Sequence, residues 1–407
     1  MESNKKESRG DIQTRRTFMK TAGAAATAGT LVLAGFDCRN LSSRMKYVTL
    51  GRTGIRVSQF LGDRMTDRRM YELAITAGVN YWHKFGHWDD PAPYDLFRSL
   101  DRDSFYCDTT VASLERDRAI EIFERILEKT GLAYIDGFKI HSQYTNAEDI
   151  KNKTGAVEAF ELLKKQGKTR YLMMSQHTNV SEVFEAAVES DMFDLIQVPV
   201  NPIVPRDYLT REVFEQKFSQ DEYLAQIKKA SDRGIAITAM KVFLWGKKYW
   251  EEVPDLKDRV KDYLPDDSHI ATALIHWTLA VPGVKAFGNM LSSFEELSEN
   301  LEAVGGSLTA REDEGLKRFA GCIGGCTCRL CGACEQANPG GVAVPDILRY
   351  AGYAKENSRR NMARALYAAL PVTARVKPGD DLKRYEQSCP YGLPVADLLI
   401  KAHCKLT

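Results

Sequence analysis

The stretch Tyr134-Ile135-Asp136-Gly137-Phe138-Lys139-Ile140, the segment Val157 to Lys165, and then Tyr171-Leu172-Met173-Met174 decide how this chain folds. The two short apolar runs suit buried strands, and the segment between them spaces its apolar residues as a helix does. That helix should stop at Gln166-Gly167-Lys168, a glycine directly after lysines. Strand, helix and strand in this order imply a parallel pair joined by a crossover. Working outward, the rhythm repeats. Gly78-Val79-Asn80-Tyr81-Trp82, Leu195-Ile196-Gln197-Val198 and Ile235-Ala236-Ile237-Thr238-Ala239-Met240 read as further strands, and Ala119 to Thr130 reads as a helix. Sustained from residue 46 to 304, about 250 residues of this alternation fit a (β/α)8 TIM barrel of the α/β class. A doubly wound sheet is the competitor, but no Gly-x-Gly-x-x-Gly turn follows an early strand.

Several segments of this region, taken in order, resemble the aldo/keto reductases. They are Thr49-Leu50-Gly51-Arg52-Thr53-Gly54-Ile55-Arg56-Val57-Ser58, Ala77-Gly78-Val79-Asn80-Tyr81-Trp82, Tyr134-Ile135-Asp136 leading to His141, Gln166-Gly167-Lys168-Thr169-Arg170-Tyr171, Val281-Pro282-Gly283 and Glu299-Asn300-Leu301. The resemblance implies a catalytic set of Asp, Tyr, Lys and His, in which Tyr is the general acid, Lys lowers its pKa, Asp pairs with Lys and His orients the carbonyl. On the matching positions this chain has His83 for Asp, Trp88 (beside His87) for Tyr, and Thr110 for Lys; only His141 is kept. Tryptophan has no proton to give at a useful pKa and threonine supplies no positive charge. The ordinary carbonyl reduction is therefore not expected. A replaced set has His83 or His87 as proton donor and His141 orienting the substrate.

The resemblance also implies a nicotinamide pocket. Ser175, Gln176 and Gln197 fall where the family binds the carboxamide, and the segment from Gly288 to Asn300 falls near its phosphate and adenine contacts. NADP(H) is the implied cofactor; the competing reading is that these are inherited structural residues. His83, His87, His141 and His177, with Asp89 and Asp90, are four of the seven histidines and would gather at the barrel mouth for acid–base work or a metal. Hydrogen-bonded residues lining a cleft are the plainer alternative.

Of nine cysteines, five lie between 322 and 334. Cys328-x-x-Cys331-x-x-Cys334 followed by Asn338-Pro339 resembles a bacterial ferredoxin run whose fourth cysteine has been lost. A second copy explains the loss. Cys334 to Leu348 aligns without gaps on Tyr385 to Leu399, which puts Cys389-Pro390 opposite Asn338-Pro339. In two-cluster ferredoxins the fourth ligand comes from the other copy. Cys328, Cys331, Cys334 and Cys389 then make one complete set, while Gly379, Leu382, Tyr385 and Asn338 have lost every ligand of the other. One 4Fe–4S cluster in a small, mainly α, ferredoxin-like extension over residues 316–407 is expected. Zinc and disulfides compete: structural zinc sites usually pair two Cys-x-x-Cys knuckles, and such short spacings suit disulfides poorly. Cys322 and Cys326 are extra thiols, either able to replace Cys389 or pair with the other, and Cys107 reads as a buried apolar residue.

Before the barrel, residues 1–38 carry Thr14-Arg15-Arg16-Thr17-Phe18-Met19-Lys20 and then an Ala/Gly-rich, weakly apolar run, which resembles a twin-arginine export signal. That route exports folded protein and suits a cofactor assembled beforehand. A periplasmic location follows, with a membrane tether where the signal is retained, and a freely diffusing NADPH pool is not expected there. The formal charge of +1 gives no general attraction to nucleic acid. The expectation is an exported oxidoreductase with a degenerate catalytic set, acting on a small molecule or with a redox partner protein. Its competitor is a catalytically silent or nonredox barrel whose cluster is structural.

Overall fold

A computed structural model describes residues 45–87, 92–141, 143–144, 146–152, 155–176, 180–202, 220–243, 256–324, 328, 332–354 and 360–407. The chain begins with an antiparallel hairpin, β1 (Tyr47–Thr49) and β2 (Arg56–Ser58), paired Tyr47 to Ser58 and Thr49 to Arg56. Eight strands follow: β3 (Phe60–Met65), β4 (Tyr81–Trp82), β5 (Tyr106–Val111), β6 (Gly137–His141), β7 (Tyr171–Ser175), β8 (Leu195–Pro199), β9 (Ala236–Met240) and β10 (Val284–Leu291). They pair in parallel, each with its neighbour in sequence, and β10 returns to β3, so the sheet is a closed barrel. A doubly wound sheet is thereby excluded.

The sequence-expected strands are seen within a residue or two to three of their ends, and the expected helices appear as Arg116–Thr130 and Gly155–Lys165. Helix starts are fixed by side chains that accept otherwise unpaired backbone N–H groups. Asp67 accepts from Arg69, Ser293 from Glu296, and Asn146 forms a capping box with Asp149.

Two apolar regions follow from the alternation of strand side chains. Outward-facing Phe60, Trp82, Phe138, Met174, Ile196 and Ile237 pack under the helices in the main core. Inside, Leu61, Tyr81, Met173, Leu195, Ala236 and Ala286, from the beginnings of the strands, pack against Leu50, Ile55 and Val57. The hairpin therefore plugs the barrel floor, and Arg52 N–H donates to the Gly234 carbonyl at 2.7 Å to hold it there.

The helix Ala310–Gly324 sends Leu316, Phe319 and Ile323 into the main core. Barrel packing thus runs past residues 304 and 316, and a separate core begins after it. That second core unites Cys334, Val344, Ile347, Tyr367, Tyr385, Val395 and Leu399 from the helices Ala333–Gln336, Val344–Tyr353, Arg360–Ala369, Lys383–Gln387 and Val395–Leu406. The internal repeat is one of backbone structure too. At a spacing of 51 residues, Asn338 N–H to Glu335 O (3.1 Å) matches Cys389 N–H to Glu386 O (3.2 Å). Likewise Gly341 N–H to Asn338 O (3.2 Å) matches Gly392 N–H to Cys389 O (3.1 Å), and Val344 N–H to Val342 O (2.9 Å) matches Val395 N–H to Leu393 O (2.8 Å).

Candidate active site

Inside the barrel, above the apolar floor, four polar side chains from different strands close on one another. Asp108 of β5 and Lys139 of β6 form an ion pair, Lys139 Nζ to Asp108 Oδ1, at 2.6 Å. His83, directly after β4, contacts the other carboxylate oxygen through Nδ1. Gln197 of β8 completes the ring: its Oε1 accepts from Lys139 Nζ at 3.4 Å and its Nε2 donates to His83 Nε2 at 3.1 Å. Tyr81 adds a hydrogen bond from its hydroxyl to Asp108 Oδ2 at 3.0 Å.

These groups are buried. The side chains of His83, Asp108 and Lys139 are 0% exposed. Burial pushes the Asp108 carboxyl up, but the charges of Lys139 and then His83 outweigh it and hold the group well below the usual carboxylate range. Burial, then the Asp108 charge, pushes the Tyr81 phenol well above its ordinary value. The ring thus contains the four residue types of the family's catalytic set, in Tyr81, Asp108, Lys139 and His83. Yet its phenol is an inward donor to a carboxylate and cannot protonate a bound carbonyl. It is the polar floor of a site.

The site itself opens at the C-terminal ends of the strands, where barrel enzymes place their chemistry. His141 ends β6, is half-buried, and lies with Nδ1 2.6 Å from Ser175 Oγ at the end of β7. Burial first, and then Lys139, Lys84, Lys241 and His87, lower its pKa to about 3, so it is neutral at physiological pH. A neutral imidazole accepts or donates one hydrogen bond per nitrogen and can orient a polar substrate. His87 is half-buried at the same end. Lys84 (φ 53°) and Lys241 (φ 62°), which follow β4 and β9, hold left-handed backbones that cost non-glycine residues about 1–3 kcal/mol each.

The remaining sequence-selected residues divide clearly. Gln197 and Gly288 come to His83: a Cβ on Gly288 would sit 2.7 Å from His83 Cδ2. Ser175 comes to His141. Gln176 is buried and donates from Nε2 to the Tyr144 carbonyl at 2.8 Å. Asn300 is buried in the helix Phe294–Ala303, where it accepts from Asn289 Nδ2 at 2.9 Å and donates to the Glu296 carbonyl at 2.7 Å. Thr110 is buried beside Lys139 in the β5–β6 register, with no hydrogen-bond partner for its hydroxyl among the described residues. Trp88, Asp89, Asp90, His177, Cys331 and Cys326 lie outside the described residues, as does the twin-arginine segment.

Sequence reasoning missed Tyr81, Asp108 and Lys139 as a set. The available signal was Lys139, a charge in the apolar run Gly137–His141 that period two places on the interior face with His141. A lysine inside a barrel requires a counter-charge, and Asp108 on the adjacent strand is the one within reach.

In the extension, Cys334 is buried and Cys328 and Cys389 are half-buried against the same second core, whereas Cys322 packs on the main core. Cys107, Cys322, Cys328, Cys334, Cys389 and Cys404 form no disulfide. Cys107 is the buried apolar residue its surroundings suggest, its thiol pushed up chiefly by burial. Among the described residues, His83, His87, His141, Cys328, Cys334 and Cys389 included, no three His, Cys, Asp or Glu side chains gather to hold a metal ion. The positions of the second copy that align with Cys331 and Cys334 hold buried apolar and aromatic side chains. Leu382 and Tyr385 are buried in the core, and the Tyr385 hydroxyl accepts from Val342 N–H at 2.6 Å.

A closed eight-stranded parallel barrel, sealed at its floor by an N-terminal hairpin and open at the strand C-termini, defines a TIM-barrel protein. Residues 101–318, more than half of the chain, match the model of the Aldo/keto reductase family. The chain belongs to that family. Among solved structures it is similar to an aldo-keto reductase from Bacillus halodurans. Against the holo form the TM-score is 0.53 at 19% identity, and against the apo form 0.52 at 20%; each covers 68% of this chain and 96% of that one. At such identity the likeness is one of fold. No curated protein matches the chain.

Proposed function

We propose that this family member is an exported oxidoreductase carrying one 4Fe–4S cluster on Cys328, Cys331, Cys334 and Cys389, with a barrel that does not use the family's tyrosine-based carbonyl reduction. The observation that carries the reading is the division of the thiols. Cys389, distant in sequence from Cys328 and Cys334, packs against the same small core as they do, and Cys322 packs elsewhere. Thiolates are the ligands such a cluster takes, and bound there it would supply single-electron transfer. The 51-residue backbone repeat supports cross-ligation, because it gives Cys389 the turn that Asn338 has in the first copy.

In the barrel, His141 with Ser175 orients a small substrate at the mouth, and His87 stands near it as the proton donor. His83 serves from below as part of the buried ring. NADP(H) remains compatible with the family, although Gln197, the expected carboxamide partner, is engaged by His83 and Lys139. The export signal places the folded protein in the periplasm, on a retained tether or free, with the twin-arginine machinery as its transport partner. No described helix is long and apolar enough to cross a membrane. A second reading rests on the complete burial of the ring: a catalytically silent barrel whose cluster is structural.

Iron and sulfide analysis with EPR of anaerobically purified protein tests the cluster. About four irons per chain, lost in Cys389→Ser and kept in Cys322→Ser, are expected. Zinc without sulfide would overturn the assignment. A dithionite titration with NADPH added separately discriminates the redox reading from the structural one.

A further inference from the structure

Barrels of this kind often seat a phosphate where the loop after the last strand meets the N-terminus of the next helix, because backbone N–H groups and the helix dipole favour an anion there. In this chain that strand is β10, and the helix is Phe294–Ala303. The anion at that place belongs to the chain itself. Glu296 Oε2 accepts from Ser292 N–H at 2.7 Å and from the Ser292 hydroxyl at 3.2 Å. Ser293 Oγ accepts from Glu296 N–H at 3.2 Å. A carboxylate and a hydroxyl thus take donors that a phosphate would use.

Charge points the same way. From Ala286 to Ala310 the chain carries Glu295, Glu296, Glu299 and Glu302 and no lysine or arginine. Near the end of β10 the side chain turned to solvent is Met290, which is apolar and 46% exposed. Arg69 does reach the helix, with its guanidinium 5.5 Å from the centre of the Phe294 ring, but Asp67 already pairs with it at 2.9 Å. At the nicotinamide end the polar groups are engaged as well. Gln197 donates to His83 and accepts from Lys139, and Gln176 donates to the Tyr144 carbonyl at 2.8 Å. Ser175 Oγ lies 2.6 Å from His141 Nδ1, and Asn289 donates to Asn300 at 2.9 Å. A bound dinucleotide would have to break several of these buried contacts, and a buried polar group left unpaired is costly.

We infer that this barrel takes no nicotinamide dinucleotide, because Glu296 fills the phosphate seat after β10 and the amides of Gln176 and Gln197 are bound within the protein. The residues present do not fit the cofactor that the family implies. This goes beyond the loss of the tyrosine acid, since the barrel then lacks the nicotinamide hydride donor too, and it is independent of the cluster.

Isothermal titration calorimetry of the full-length protein with NADPH, NADH and adenosine 2′,5′-bisphosphate tests it. In the wild type none of the three should bind saturably at millimolar concentration. Glu296→Ser opens the seat and should give saturable binding of the bisphosphate, a gain of at least tenfold in affinity. Glu296→Gln keeps an acceptor for Ser292 but removes the charge, so it should gain less, and it carries the test where the serine variant fails to fold. Glu302→Gln removes an exposed charge of the same helix away from the seat and should gain nothing. Saturable binding of NADPH or NADH by the wild type, absence of gain in both Glu296 variants, or an equal gain in Glu302→Gln overturns the inference. Iron content and EPR signal of the same samples report on the cluster separately, so failure of one reading is not failure of the other.

Discussion

Lys139 and Asp108 lie 2.6 Å apart on adjacent strands, and neither side chain touches solvent. Taking two charges out of water costs several kcal/mol per ion, and their attraction offsets that only with good geometry and further hydrogen bonds. Both conditions hold, because His83, Tyr81 and Gln197 take up the remaining donors and acceptors.

Removing one partner leaves the other charge buried and unpaired. Lys139→Met should therefore lower unfolding stability by about 3–5 kcal/mol in urea titrations. The double variant Lys139→Met/Asp108→Leu should lose less than the two single variants together, as coupled sites do. Additive losses would show that the pair is not coupled.

Gly288 is required by the His83 ring. In Gly288→Ala the new methyl meets Cδ2 at 2.7 Å and Nε2 at 3.2 Å, so the imidazole must move. A loss of about 1–3 kcal/mol in thermal unfolding is expected, together with a shifted His83 NMR resonance. Wild-type stability with an unchanged resonance would contradict the packing described.

His141 resists protonation in the folded protein down to about pH 3, chiefly through burial, whereas an unfolded histidine takes up a proton near pH 6.5. Between those values the unfolded state binds more protons, so stability rises with pH and falls on acidification. At pH 5 the loss relative to neutral pH should be about 2 kcal/mol from this residue. His141→Gln should flatten that part of the stability profile; a slope that survives the substitution assigns it elsewhere.

Tyr385 occupies a position that the repeat pattern assigns to a lost ligand. Tyr385→Phe strands the buried Val342 N–H, at a cost of about 1–3 kcal/mol. Hydrogen exchange should show the loss in the helices of the extension and not in the barrel strands. Uniform acceleration across both would show that the two cores unfold as one.

The barrel was legible in the sequence because period two and the glycine stop at Gly167 report local geometry that the tertiary fold leaves intact. Strands β3, β5 and β10 were less visible, since Gly62, Asp63, Asp108 and Gly288 interrupt their apolar runs. Those interruptions belong to the site. His83, Thr110 and His141 could be picked out in the sequence as interior polar residues, but the charge pair could not, because spacing does not say which strand supplies an inward lysine. A side chain as long as Lys139 reaches its neighbour from one strand over. Where the extension begins is hard to read in the sequence for a related reason. The amphipathic helix Ala310–Gly324 does not reveal in sequence which of two cores its apolar face covers, and Leu316, Phe319 and Ile323 choose the barrel.

The closed ring of His83, Asp108, Lys139 and Gln197 also constrains descent. No member can be exchanged alone without stranding a donor, an acceptor or a charge in the barrel interior, so viable lineages must change several together or none. Related chains should therefore inherit the four as a block, while Trp88 and the surface loops drift. Co-variation of these positions would distinguish this branch of the family more sharply than its overall resemblance does.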